Sequence, residues 1–163
     1  MNNTDVDQQL TICQTELASI QGIITGLGLT SNIVPYLTKY SVIRACGTIE
    51  NAFKTVIADY IEHRSKRQVK RFISKRIREG SANPSFDMIC KFLGEFDENW
   101  KSEFKTKLNL EPNKQSLTDS LQSLVDARND FAHGGNPGAS ISDVITYFGN
   151  ARRIIEILDD VIA

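Results

Sequence analysis

No stretch of this 163-residue chain approaches the roughly 20 consecutive apolar residues that a membrane span requires. Its first residues, with Asp5 and Asp7 ahead of a polar Gln pair, do not resemble a signal peptide, so a cytoplasmic protein without membrane association is expected. Cysteine is scarce and unpatterned. Cys13, Cys46 and Cys90 are odd in number, far apart and set among apolar neighbours, which excludes a disulfide framework or a metal knuckle and leaves them as small core residues. Histidine occurs only at His63 and His133, and the acidic residues Asp87, Glu95, Asp97 and Glu98 have no histidine or cysteine beside them, so no metal site is expected. Gly22, Gly26 and Gly28 lack the following Lys-Ser or Lys-Thr, and the preceding strand, of a phosphate loop and read as a linker. No cofactor is called for. Neither an alternating strand pattern nor an internal repeat is present.

What is present is ordinary for a globular chain, at 40% hydrophobic and 24% charged residues, and the length suits one domain spanning 1–163. The net charge of −1 conceals a segregation. Residues 64–78 carry Arg64, Lys66, Arg67, Lys70, Arg71, Lys75, Arg76 and Arg78 with no acid, which leaves 11 of the 19 basic residues against 20 acidic ones elsewhere. A concentrated positive field on an otherwise acidic protein draws an anionic polymer such as RNA, and Lys66, Arg67, Lys70, Arg71, Lys75 and Arg76 are the candidate RNA contacts. His63, at the edge of this run, reads as a surface histidine or a phosphate contact.

The periodic segments are helical. Val6, Leu10, Cys13, Leu17, Ile20 and Ile24 recur at spacings of four and three behind a cap at Asn3 to Asp5. Pro35 opens a long second helix carrying Tyr36, Tyr40, Ile43, Gly47, Phe53, Ile57 and Tyr60. The basic segment extends it or follows at a bend, with Val69, Phe72, Ile73 and Ile77 as a narrow apolar stripe. Asn83 and Pro84 open a helix with Phe86, Ile89, Phe92, Leu93 and Phe96 inward, and Trp100, Phe104 and Leu108 mark a short one after it. Beyond the linker Glu111–Asn113, a helix begins at Leu117, Leu121, Leu124 and Val125 and stops at Gly134, Gly135, Asn136, Pro137 and Gly138. Ser140 with Asp143 caps the last helix, which buries Val144, Phe148, Ala151, Ile155, Leu158 and Ile162 and turns Glu156, Asp159 and Asp160 to solvent.

Two charges fall on these apolar stripes. The series 43, 47, 50, 53/54, 57 places Glu50 inward, and the series 117, 121, 124, 128, 131 does the same for Arg128. A buried charge deprived of its partner destabilises by about 3–5 kcal/mol, so either the two form an ion pair across the helices or both side chains reach out to water. Arg128 also begins the string RNDFAH, which ends at His133 as the helix breaks. A guanidinium can bind nonbridging phosphate oxygens, and an imidazole can move the proton of a ribose 2′-hydroxyl. Five residues of helix separate the two side chains by roughly 140°, so convergence requires relaxation at the helix end.

With Arg128, a polar Asn129, His133 at the helix end and a further amphipathic helix downstream, the chain resembles the HEPN superfamily, in particular its RiboL-PSP-HEPN-like group of bacterial defence and toxin proteins. The resemblance runs from VIRACGTIENAFKTVIADYIEHR through ARNDFAHGG to SISDVITYFGNARRIIEILDDVI. It implies an all-α, up-and-down bundle of about 5–7 helices. The implied activity is metal-independent RNA cleavage, by a toxin or antiphage effector, at a site shared by a homodimer. His133 would act as base or acid, Arg128 would stabilise charge on phosphorus, and Asn129 would orient one of them. Glu50 would support Arg128. An antitoxin or regulatory protein is a further implied partner. The alternative is a noncatalytic HEPN-like module that binds RNA, a nucleotide or a protein.

Overall fold

In the computed structural model, which describes residues 1–63, 65–135 and 138–163, Asn3 opens the first helix by accepting the Val6 backbone N–H at 3.0 Å. This helix, α1 (Thr4–Leu27), buries Val6, Leu10, Cys13, Leu17, Ile20 and Ile24, the whole expected stripe. Helix α2 (Val34–Glu62) has Pro35 in its first turn, where the missing N–H removes nothing the helix uses. The basic segment does not continue α2. It turns near His63 and forms α3 (Arg67–Ile73), which runs into a π-helical turn, Ser74–Arg78. Then follow α4 (Phe86–Phe96), α5 (Glu98–Leu110), α6 (Lys114–Ala132) and α7 (Ile141–Ile162). Ser85 caps α4 and Asp97 caps α5, while Ser140 and Asp143 form a reciprocal capping box on α7. The described residues hold seven α-helices and no strand. Arg64, Asn136 and Pro137, which figured among the expected cations and helix breakers, lie outside them.

Helix α7 lies at the centre, packed on α6, α2, α1 and α5, and α2 lies against α1, α6 and α7. One core draws side chains from α1, α2, α4, α5, α6 and α7, with Phe53, Phe104 and Phe148 the largest fully buried side chains. Truncating any of these to Ala would cost about 3–5 kcal/mol. All three cysteines are buried in the same core. No helix is long and apolar enough to cross a membrane among the described residues.

Several expected faces need correction, and Phe96 at the end of α4 and Val69 and Phe72 of the basic segment are exposed because no helix among the described residues covers them. In α2 Phe53 and Ile57 are buried as expected, but before them the buried series is Val42, Cys46, Ile49, one residue earlier than expected, and Tyr36, Tyr40, Ile43 and Tyr60 are exposed. The reason is that α1, α6 and α7 cover a broad arc of α2, so its apolar residues do not define one narrow face. At the end of α7, Asp159 is not on a solvated face. It is 3% exposed and accepts the backbone N–H groups of Asn2 and Asn3, fastening the start of α1 to α7.

Candidate active site at the end of the penultimate helix

Leu117, Leu121, Leu124 and Val125 point α6 into the core, and one turn on the same face Arg128 is half-buried, as its stripe requires. Its Nη1 donates to Asn129 Oδ1 at 3.1 Å. No carboxylate pairs with Arg128 among the described residues, so the expected Glu50–Arg128 ion pair is not formed. Glu50 Oε1 instead lies 3.1 Å from Lys54 Nζ and accepts the Ala82 N–H at 2.9 Å, while Lys54 Nζ donates to Gly80 O at 2.6 Å. Lys54, one turn along α2, reaches the carboxylate, and both then fasten the loop that follows the basic segment. The two charges still share a neighbour. Burial pushes the Cys46 thiol up to about 11, while the Arg128 guanidinium pulls it down and Glu50 raises it further. That thiol stays protonated and apolar in character, consistent with a packing role.

His133 is the C-cap of α6 and is exposed, its N–H bonded to Asn129 O at 3.0 Å. The two glycines after it end the helix by a specific device. Gly134, at φ 84°, donates to Phe131 O at 3.0 Å, and Gly135 donates to Asp130 O at 2.7 Å. These are the two bonds of a Schellman motif, which uses a left-handed residue to satisfy the last carbonyls. A Cβ on Gly135 would lie 2.8 Å from Asp130 O, so the second position is also closed to side chains. The His-Gly-Gly sequence therefore fixes where the imidazole's backbone stands, and the side chain projects into solvent.

Arg128 and Asn129 are brought together, whereas no hydrogen bond joins either to the His133 side chain within the chain. One cation missed by the sequence reading joins the neighbourhood. Lys39 of α2 lies with its ammonium 5.6 Å from the Phe131 ring centroid, a cation–π contact. Phe131 inside the RNDFAH string was the available signal, but its partner comes from a different helix. On the opposite side of α6, Ser123, Asp126, Asp130, Asp143 and Tyr147 line a shallow groove of about 340 Å³, whose carboxylates would repel phosphate. A cavity of about 810 Å³ contains none of the motif residues, and its Asp59 and Asp159 carboxylates are already bonded to Arg78, Asn2 and Asn3.

The basic segment divides. Arg78 is held by Asp59 at 2.5 Å and Glu62 at 3.0 Å, and Lys75 by Glu79 at 2.6 Å. Lys66, Arg67, Lys70, Arg71 and Arg76 are exposed and form no ion pair among the described residues. No group of three or more His, Cys, Asp or Glu side chains among these residues is placed to hold a metal ion.

An all-helical bundle whose penultimate helix ends in Arg-Asn-x-x-x-His is the architecture of a HEPN domain. The profile of the RiboL-PSP-HEPN family matches residues 9–163, nearly the whole chain, and the chain belongs to that family. Membership points to a nuclease or RNA-related role. No curated protein and no solved structure matches.

Proposed function

We propose that this chain is a metal-independent endoribonuclease, acting as a toxin or antiphage effector. The observation that carries the proposal is the Arg128-Asn129-x-x-x-His133 motif of a RiboL-PSP-HEPN member, seated where a Schellman turn ends the penultimate helix. In this reading His133 takes the proton of a ribose 2′-hydroxyl, the 2′-oxygen attacks phosphorus, and the 5′-oxygen leaves with a proton delivered by a second imidazole or water. Arg128 binds the nonbridging oxygens as their charge develops, and Asn129 orients the guanidinium it touches. Glu50 contributes indirectly, by fastening residues 80–82 to α2, the helix that packs on α6.

Within one chain Arg128 faces inward and His133 faces solvent, a sparse apparatus for phosphoryl transfer. A C2 homodimer meeting near the end of α6 would supply two of each group. The exposed Tyr36, Tyr40 and Ile43 on α2, beside the Lys39–Phe131 contact, offer apolar surface for such a meeting. A protein that cuts RNA must also be restrained, which gives an antitoxin or regulatory partner a role.

The test is cleavage of RNA in excess chelator. Products should end in 2′,3′-cyclic phosphate, and a 2′-deoxyribose at the cut site should resist, because the nucleophile is the substrate's own hydroxyl. Arg128→Ala and His133→Ala should each abolish cutting. An activity that chelator removes and magnesium restores would refute the proposal, and RNA binding without cutting by the native protein would favour a noncatalytic role.

A further inference from the structure

The basic segment is anchored by only half of its apolar stripe. Ile73 and Ile77 are 3% and 4% exposed and pack on Ala58 of α2, with Ile61 and Phe92 beside them. Val69 and Phe72, the other half, are 41% and 61% exposed. A bare phenylalanine is unremarkable by itself. Here it stands among cations with no acid between Arg64 and Arg78, and five of them form no ion pair among the described residues. On the helix surface Phe72 has Gln68 and Val69 one turn before it and Lys75 and Arg76 one turn after. Arg71 beside it in sequence and Arg76 one turn after it therefore put unpaired charges next to the aromatic face, where they can meet the phosphates adjoining a stacked base.

From this juxtaposition we propose that α3 and its π-helical turn form a binding surface for single-stranded nucleic acid, in which Phe72 stacks on an unpaired base while Lys70, Arg71 and Arg76 contact the backbone phosphates. Charge complementarity selects an anionic polymer over a neutral partner. The aromatic face then selects a single strand over a duplex, because a duplex stacks its bases internally and leaves only phosphates for a side chain on the outside. Ile73, Ile77 and the Arg78 clamp on Asp59 and Glu62 hold the platform rigidly against α2. The inference rests on the RNA reading but not on the chemistry at His133.

The experiment measures anisotropy of a short fluorescein-labelled 2′-O-methyl single strand, which cannot be cut, beside its duplex and phosphatidylserine vesicles. With about four phosphates engaged, log affinity should fall against log salt with a slope of roughly −3. Phe72→Leu should weaken single-strand binding by ~5- to 150-fold, with the slope unchanged and duplex binding little affected. Phe72→Trp should retain affinity and show indole quenching when the strand binds. Replacing Lys66, Arg67, Lys70 and Arg71 by Gln should flatten the slope. His133→Ala should bind the 2′-O-methyl strand like the native protein and leave the matching ribose strand uncut. Native affinity in Phe72→Leu, or an equal loss on strand and duplex, would overturn the proposal, as would tighter vesicle binding that needs Phe72 or a dimer that Phe72→Leu dissociates. Native protein that binds no strand would overturn it together with the RNA reading. Strand binding with cutting that survives His133→Ala would overturn the catalytic assignment alone.

Discussion

Replacing Lys54 by Met removes the ammonium between Glu50 and Gly80 O while keeping most of the side chain's volume. Lys54 is 6% exposed and the Glu50 side chain 15%, so the carboxylate left behind has only the Ala82 N–H as partner and little access to water. Breaking a buried pair in this way destabilises by about 3–5 kcal/mol. In a chain of this size each kcal/mol lowers the melting temperature by roughly 2–4 °C, so a drop of about 6–20 °C is expected. Glu50→Gln should restore part of it in the double variant, because the amide no longer leaves a charge unpaired. Urea denaturation of the single and double variants then gives a coupling energy. For Glu50 with Lys54 it should fall between about 0.5 and 3 kcal/mol, and for Glu50 with Arg128 it should stay within about 0.5 kcal/mol, since those side chains share no bond. A larger coupling to Arg128 than to Lys54 would refute the arrangement, and so would a Lys54→Met variant that loses less than about 1 kcal/mol.

The composite site predicts that Arg128→Ala and His133→Ala, each dead as homodimers, regain partial activity when mixed and allowed to exchange subunits. A mixture that stays dead while mass measurement shows heterodimers would refute the composite model. At the Schellman turn, Gly134→Ala must hold a side chain at φ 84° and should lose about 1–2 kcal/mol and some cleavage activity, with Gly134→Asn milder. Unaltered melting of Gly134→Ala would contradict this. The Asp143 carboxyl is held below its ordinary value, chiefly by the Ser140 hydroxyl and then by the Ser140 backbone N–H. Because the folded value is the lower one, its contribution is fully present above the ordinary carboxylate range and is lost as pH falls through the folded value. The melting gap between the native chain and Asp143→Asn should therefore narrow below about pH 4. A gap constant from neutral to strongly acid pH would refute an ionised cap.

What could be read from the chain, and what could not, follows from how far each determinant lies along it. The stripe of α1 and that of α7 were legible because their expected apolar residues mark the face that is buried, and the caps at Asn3 and Ser140 are local hydrogen bonds within three residues of sequence. The motif-bearing end of α6 was legible for the same reason. Half-burial of Arg128 follows from the spacing of Leu117, Leu121 and Leu124, and His-Gly-Gly carries its own stop signal. The first half of α2 was misread because several helices cover α2, so Tyr36, Tyr40 and Ile43 mimic a core stripe while Val42, Cys46 and Ile49 form the real one.

The error in α2 then propagated to the choice of partner for Glu50. A carboxylate on the 43–47–50 line seemed to face α6, yet that line runs along the edge of the buried arc. There the nearest cation is Lys54 on the same helix, and the space is closed by residues 80–82, which reach it only because the basic segment folds back after its π-helical turn. Such a closure depends on a loop 32 residues along the chain from Glu50 and leaves no periodic trace. Phe131 and Lys39 show the same limit, since neither residue alone signals a contact between α2 and α6. The chemistry of the motif is therefore written locally, as a helix end with an arginine, an asparagine and a histidine. The surfaces around it are set by packing between segments far apart in the chain.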